Sequence, residues 1–360
     1  MIRRTISLYM LGFLCLTLAA HGGGDAVRRY VFTGEVVRIR VQEVEAEHQL
    51  AAHVSTITRG SFGPAVTRIC PVKDGFIEVK PLREGIHVVS LGPPADREVR
   101  FLAMDPPQSF DAEVVRRRLP RTGEKLLKGK SYIILTMGDS VTHTGNYEKM
   151  LVKMLERATG NENITFVDRS YAGRSVDASV RHFARDTSDI DPDLGLLMYG
   201  LNDQICFVPL RAFLAQYEWI SDAMKDRFDG DTIFLQPTPH IAQFGPSAFR
   251  TIGFAEAVSR RGRRLDLPVA RTFNGIWGDG GKDLARSVLG MWSLYPRHHR
   301  ARFTTLWESR GKGDTIHPNA LGHLRIARAV FDAITGRKRT PPLRVTGESR
   351  WTPRFSCRMP

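Results

Sequence analysis

Cysteine is scarce in this sequence: 4 of the 360 residues are cysteines, and no two of them form a Cys-x-x-Cys pair. This excludes a small disulfide-bonded scaffold and the common cysteine-based zinc sites. A His-Glu-x-x-His motif is missing as well, so no metal site is predicted. Hydrophobic residues make up 42% and charged residues 25% of the chain, which is typical of a globular protein. A disordered chain, a collagen and a bundle of membrane helices are therefore excluded.

Acidic residues are few compared with basic ones. The 38 Asp and Glu residues are outnumbered by 52 Lys and Arg residues, which gives a formal net charge of +14. We expect the surface to attract polyanions, although composition does not say which polyanion.

Residues 1–20 have the pattern of a secretory signal peptide. Two arginines precede the apolar run Leu8–Leu18, and two alanines follow it. The run is shorter than the roughly 20 residues that span a bilayer, but an N-terminal membrane anchor stays an alternative. We expect a periplasmic or secreted protein. Beyond the signal, Cys70, Cys206 and Cys357 are odd in number, so at least one thiol cannot pair within the chain.

Residues 29–105 contain short runs rich in β-branched and aromatic residues, separated by turns with glycine and proline. Several runs alternate apolar and polar residues, as a strand with one solvent-exposed face does. The predicted strands are Tyr30–Phe32, Val36–Val41, Val54–Thr58, Phe76–Val79, Val88–Leu91 and Val99–Leu102. We predict a small all-β sandwich domain here, followed by a linker over residues 106–130.

Residues 131–336 alternate buried strands with amphipathic helices, the first of which is predicted over Tyr147–Ala158. This alternation predicts a three-layer α/β/α domain with a parallel sheet. In such sheets, functional loops lie at the carboxyl ends of the strands. The predicted strands are Tyr132–Met137, Ile164–Val167, Leu194–Tyr199, Thr232–Gln236 and Leu267–Ala270.

Three of these strands end in short segments that carry candidate functional groups. Gly138, Asp139 and Ser140 follow the first strand, where a serine hydroxyl can stand above the sheet edge. Gly173 follows the second strand and can offer an unobstructed backbone N–H. Asn202 follows the third strand, and its side-chain amide can reach the same point. Each segment taken alone is also an ordinary turn.

The last segment of this kind lies close to the end of the chain, where Asp314 and His317 precede a helix with a regular apolar side. Pro318 suits the first helical position, which leaves His317 at the entrance of the helix. A carboxylate that bonds one ring nitrogen of a histidine leaves the other nitrogen as a base. The pair could equally cap the helix.

In this order, Gly-Asp-Ser, Gly, Gly-x-Asn-Asp and Asp-x-x-His resemble the SGNH hydrolases, also called GDSL esterases and lipases, over about residues 131–336. The resemblance implies that Ser140 is the nucleophile, His317 its general base and Asp314 the carboxylate that orients the base. The oxyanion hole would then consist of the backbone amides of Ser140 and Gly173 and the side chain of Asn202. Neither a cofactor nor a metal is implied.

The resemblance implies a serine ester hydrolase, and the predicted signal peptide makes it an exported one. Removal of acyl groups, above all O-acetyl groups, from carbohydrate or envelope substrates is the first expectation. A lipid or lysophospholipid esterase is the alternative, and a non-catalytic glycan-binding protein on a hydrolase scaffold is an alternative of another class. The expected partner is an acylated small-molecule or polysaccharide substrate, with no specific nucleic acid.

Two basic features have open interpretations. Arg174, next to Gly173, is expected either to be solvated or to contact a polar or acidic substrate. The tail over residues 337–360 carries seven basic residues and one acid, a net +6. We expect it either to be a solvated end or to dock on the folded body and face an anionic envelope polymer.

Overall fold

The computed structural model describes residues 29–41, 49–58, 61–62, 66–91, 97–239, 246–277, 317–318 and 320–337. The predicted signal peptide, Cys357 and all but the first residue of the basic tail lie outside the described residues, as does Asp314. Within the described part, no helix is both long and apolar enough to span a bilayer.

The N-terminal region is made of β-strands in two sheets. Six strands form one sheet in the order β1-β8-β7-β3-β4, with β5 also paired to β3, whereas β2 and β6 form an antiparallel pair. β1 runs parallel to β8, and the other pairs of the larger sheet are antiparallel. The strands are β1 (Tyr30–Phe32), β2 (Val37–Arg40), β3 (Gln49–Thr58), β4 (Ser61–Phe62), β5 (Val66–Pro71), β6 (Phe76–Val79), β7 (Gly85–Leu91) and β8 (Arg97–Met104).

Apolar and polar residues alternate within these strands, and the apolar ones form a small core. In β2, Val37 and Ile39 are buried while the two arginines that alternate with them are exposed, as their period of two predicts. Both join a cluster with Val89 and Phe101 of the larger sheet. The predicted strands are confirmed, whereas the small all-β sandwich domain stays a prediction.

The segment predicted as a linker over residues 106–130 is mostly helical from residue 112 onward. It contains α1 (Ala112–Arg118), α2 (Pro120–Lys125) and a 3₁₀ turn at Leu126–Lys128. Asp111 caps α1 by accepting a hydrogen bond from the Glu113 amide at 2.9 Å. Proline suits the first turn of α2 because its missing N–H has no partner there in any helix.

The C-terminal region is a three-layer α/β/α fold, as predicted. Its sheet has the order β10-β9-β11-β12-β13, and all neighbours are parallel. The elements are β9 (Tyr132–Gly138), α3 (Ser140–His143), α4 (Tyr147–Thr159), β10 (Ile164–Asp168), α5 (Val176–Asp186), β11 (Leu194–Met198), α6 (Leu201–Ile205), α7 (Leu210–Phe228), β12 (Asp231–Leu235), α8 (Pro246–Arg264), β13 (Val269–Ala270), α9 (Thr272–Trp277) and α10 (Ala320–Thr335).

Each face of this sheet buries its own set of side chains. Ile134 and Leu196 belong to the cluster that contains α4 and α10. Their neighbours Leu135 and Leu197 point the opposite way, into the cluster that contains α5, α7 and α8. The parallel strands are therefore covered on both sides, and their carboxyl ends form one open edge.

The two regions share one hydrophobic core. Phe32, Leu102 and Met104 of the N-terminal sheet pack in the same cluster as α4 and α10. An ion pair between Arg328 of α10 and Glu84 lies beside this contact. The N-terminal sheet thus covers the helix that follows His317.

Candidate active site

Ser140 stands directly after the first strand of the parallel sheet. Gly138 ends β9, and a Cβ on it would lie 3.0 Å from the Met198 carbonyl oxygen, so glycine permits the close approach of the next strand. The buried Asp139 caps α3 by accepting a hydrogen bond from the Val141 amide at 3.0 Å. Ser140 is therefore the first residue of a helical turn at the carboxyl edge of the sheet.

The loop with Gly173 lies against the Ser140 segment. The Tyr171 amide donates to the Gly138 carbonyl at 3.2 Å, and the Arg174 amide closes a turn onto the Tyr171 carbonyl at 3.2 Å. Gly173 has a φ of +76° in this turn, a conformation that L side chains rarely adopt. The Asn202 side chain donates from Nδ2 to the Arg174 carbonyl oxygen at 3.1 Å. Hydrogen bonds thus join all three predicted oxyanion-hole segments.

Asp203 holds two of these segments in place. Its Oδ1 accepts from the Val176 amide at 3.0 Å, and its Oδ2 accepts from the Gly200 amide at 3.1 Å. Burial raises the pKa of Asp203 to about 6. Asp139 and Asp203 thus both stabilise their loops through local hydrogen bonds, and Asp203 additionally bridges to the start of α5.

His317 lies near the Ser140 segment. Burial raises the pKa of Asp139 to about 7, and the charge of His317 acts against this rise. α10 begins at Ala320, so the prediction that Pro318 takes its first position is wrong. His317 does precede the helix, as predicted. The Ser140, Gly173 and Asn202 segments therefore meet at one edge, and the roles of these residues and of His317 stay predictions.

His323 of α10 connects the His317 turn with the Ser140 loop. Its ring bonds the backbone of Pro318, and burial lowers its pKa to about 3, so the ring is neutral. It also packs on Gly145, where a Cβ would lie 2.6 Å from its Cε1 atom. Only glycine at position 145 allows the two segments to approach in this way.

Arg174 contradicts both expectations from the sequence. The residue is only 8% exposed, and its Nη1 donates to Oδ2 of the buried Asp186 at 2.7 Å. Its guanidinium carbon lies 4.2 Å from the centre of the Tyr171 ring. Arg174 is thus a buried structural cation that fixes the glycine loop, and it is neither solvated nor a substrate contact.

Sequence reasoning missed a second histidine beside Ser140. His143 ends α3, and its Nδ1 lies 3.5 Å from Oδ2 of Asp168. The Asp168 carboxylate is itself held by the Ser170 amide at 2.8 Å and the Thr136 hydroxyl at 3.2 Å. The signal was available, because residues three apart on a helix are neighbours.

Glu148 was missed as well. The side chain is buried, and burial raises its pKa to about 8, with the charge of Asp168 adding to the effect. Its Oε1 makes no hydrogen bond within the described ranges. Burial thus favours the neutral acid of Glu148.

Metal ligands do not cluster in the described part of the chain, where no group of three His, Cys, Asp or Glu side chains could hold an ion. The arrangement at the edge offers a hydroxyl, an imidazole and amide donors. Such groups suit acyl transfer.

Comparison with known proteins identifies the family. The model of the GDSL-like lipase/acylhydrolase family matches residues 136–325, more than half of the chain. No curated protein sequence matches the chain.

Three solved structures are similar in fold. A lipase/acylhydrolase from Enterococcus faecalis is 16% identical with a TM-score of 0.43, over 57% of this chain and 96% of that one. An acetylxylan esterase from Geobacillus stearothermophilus is 18% identical with a TM-score of 0.44, over 56% of this chain and 94% of that one. An alpha/beta hydrolase from the metagenome of Lake Arreo, Spain, is 18% identical with a TM-score of 0.43, over 57% of this chain and 95% of that one. This similarity is too low to indicate a substrate.

The match with the family model begins inside β9 and ends inside α10, so it spans the parallel sheet and every described segment of the site. The chain therefore belongs to the GDSL-like lipase/acylhydrolase family and is a carboxylic ester hydrolase.

Proposed function

We propose that Ser140, His317 and Asp314 form the catalytic triad of this ester hydrolase. His317 takes the proton from the Ser140 hydroxyl, whose oxygen attacks the ester carbonyl carbon. The alcohol then leaves with the proton from His317, and water releases the acyl group by the same steps. The observation that carries this proposal is the hydrogen-bonded assembly of the Ser140, Gly173 and Asn202 segments beside His317.

The proposed oxyanion hole consists of the Ser140 and Gly173 amides and the Asn202 side chain. Asn202 uses one Nδ2 hydrogen to bond the Arg174 carbonyl, which orients the amide and leaves its second hydrogen for the oxyanion. The ion pair of Arg174 with Asp186 keeps that carbonyl in place. Donors fixed in this manner stabilise developing charge without reorganising during the reaction.

Ester-bonded acyl groups on carbohydrate or envelope polymers, above all O-acetyl groups, are the proposed substrates. The rim beside Ser140 is polar, with His143 and Asp168 next to the partly exposed Tyr171. A polar rim suits a hydroxylated alcohol better than a fatty acyl chain. A lipid ester is the second candidate, favoured by Phe207, which is 72% exposed beyond α6.

The proposed location is outside the cytoplasm. The basic and apolar pattern of residues 1–20 supports this proposal. Intact mass of the protein from the envelope or medium tests it, since cleavage near residue 20 is expected and an intact N-terminus would favour the anchor.

Hydrolysis of p-nitrophenyl acetate tests the triad. Ser140→Ala and His317→Ala should each lower kcat by about 10⁴-fold or more, because triad members act as a unit. The matched controls are Ser188→Ala, at an exposed serine, and His182→Ala, on α5. Both should keep wild-type rates. A Ser140→Ala enzyme with wild-type kcat would refute the assignment.

A further inference from the structure

A second carboxylate–histidine pair stands beside the proposed nucleophile. His143 lies three residues after Ser140 on the same helical turn, so the two side chains are neighbours. The triad does not use His143, yet its side chain is 47% exposed at the same edge of the sheet.

The carboxylate fixes how His143 presents its ring. Nδ1 faces Oδ2 of Asp168 at 3.5 Å, so Nε2 faces away from Asp168. In the neutral ring, a proton on Nδ1 shared with the carboxylate leaves a lone pair on Nε2. Asp168 is held by its bonds to Ser170 and Thr136, so this orientation is set before any ligand arrives.

Tyr171 adds an aromatic surface next to this acceptor. Its ring is nearly parallel to that of His143, with 10° between the planes and 6.4 Å between the centres. Tyr171 is 42% exposed, and the buried Arg174 supports the ring from 4.2 Å. The ring is therefore held rigidly, which lowers the entropy cost of binding.

We propose that His143, Asp168 and Tyr171 form a subsite for the sugar that carries the acyl group. The lone pair on Nε2 accepts a hydrogen bond from a free hydroxyl of that sugar, and the Tyr171 ring contacts its apolar C–H surface. An alkyl ester without hydroxyls cannot form the first contact. This proposal rests on the proposed function, because the subsite is defined by its position beside the ester bond that Ser140 attacks.

Two substrates of different alcohols test the subsite. The measurement is kcat/KM for a mono-acetylated methyl glucoside, divided by kcat/KM for p-nitrophenyl acetate. His143→Ala should lower this ratio at least tenfold, mainly through KM of the glucoside. His143→Gln, which keeps an acceptor, should restore part of it, and Tyr171→Ala should lower it as well. His182→Ala is the matched control and should leave the ratio at the wild-type value.

The outcomes separate this proposal from the triad assignment. Equal loss on both substrates, an unchanged ratio in His143→Ala, or a wild-type enzyme that does not cleave the glucoside would each overturn the subsite. Ser140→Ala is measured alongside: if it keeps activity on p-nitrophenyl acetate, the proposed function fails whatever the ratio shows.

Discussion

Replacing Glu148 by glutamine tests whether a buried carboxylic acid below the site is neutral in the folded chain. Its side chain is 4% exposed, and burial raises its pKa from 4.5 to about 8. Between these two values the folded chain keeps a proton that the unfolded chain has lost. Stability therefore falls as pH rises through this window and becomes constant above it.

The size of the effect follows from the two pKa values. Each pH unit between them corresponds to about 1.4 kcal/mol. Glu148 has a pKa of about 8 in the folded chain and 4.5 in the unfolded chain. This difference lowers the free energy of unfolding by about 5 kcal/mol at alkaline pH. Glutamine has the shape of the neutral acid and no proton to lose. Glu148→Gln should exceed the free energy of unfolding of the wild type by only about 1 kcal/mol at pH 5 and by up to about 5 kcal/mol at pH 9.

Urea unfolding at pH 5 and pH 9 is the assay. Glu162→Gln, at an exposed glutamate just beyond α4, is the matched control for loss of a surface charge. If the stability difference between Glu148→Gln and the wild type is the same at both pH values, Glu148 is already ionised in the folded chain and the reasoning is wrong.

Three further perturbations have expected outcomes. Asn202→Ala should lower kcat about 10²- to 10³-fold with little change in KM, because it removes one oxyanion donor; a rise in KM alone would contradict this. Asp186→Asn should cost about 3–5 kcal/mol in urea unfolding, since it leaves the buried Arg174 cation without its carboxylate, and a loss below 1 kcal/mol would count against the pair. Removing residues 1–105 should abolish cooperative unfolding and near-UV circular dichroism, because the sheet over residues 29–105 covers α10; a well-folded fragment would show that the shared core is dispensable.

Local patterns predicted the parallel sheet and the edge where the site lies. Buried parallel strands are continuous apolar runs, and this pattern predicted Tyr132–Met137 and Leu194–Tyr199, which are strands at Tyr132–Gly138 and Leu194–Met198. Since parallel strands end at one edge, the segments at Ser140, Gly173 and Asn202 were expected to meet. The hydrogen bonds between these segments agree with that expectation.

Local signals for the helices in the predicted linker were present but outweighed by its proline content. Asp111 is a good N-cap, and Pro120 suits a first helical turn. Proline marks linkers and helix starts alike, and the packing of this segment against α10 decides between them. That packing joins residues more than 200 positions apart, so no sequence window contains it.

The partners of Arg174 and Asp203 could not be predicted for a similar reason. The carboxylate of Asp186 lies twelve positions from Arg174, and the Val176 amide is 27 positions from Asp203. Neither partner can be read from neighbouring residues. The pairs become visible only when α5 is positioned beside the glycine loop.

Covalent labelling tests the central claim, that Ser140 is the nucleophile, most directly. The full-length protein is incubated with a fluorophosphonate, and intact mass and peptide mapping give the number and position of adducts. We predict one adduct per chain, on Ser140, with loss of ester hydrolysis in proportion to labelling. His317→Ala should label far more slowly than His182→Ala. An adduct on a different residue, or full inhibition while Ser140 stays unmodified, would contradict the account.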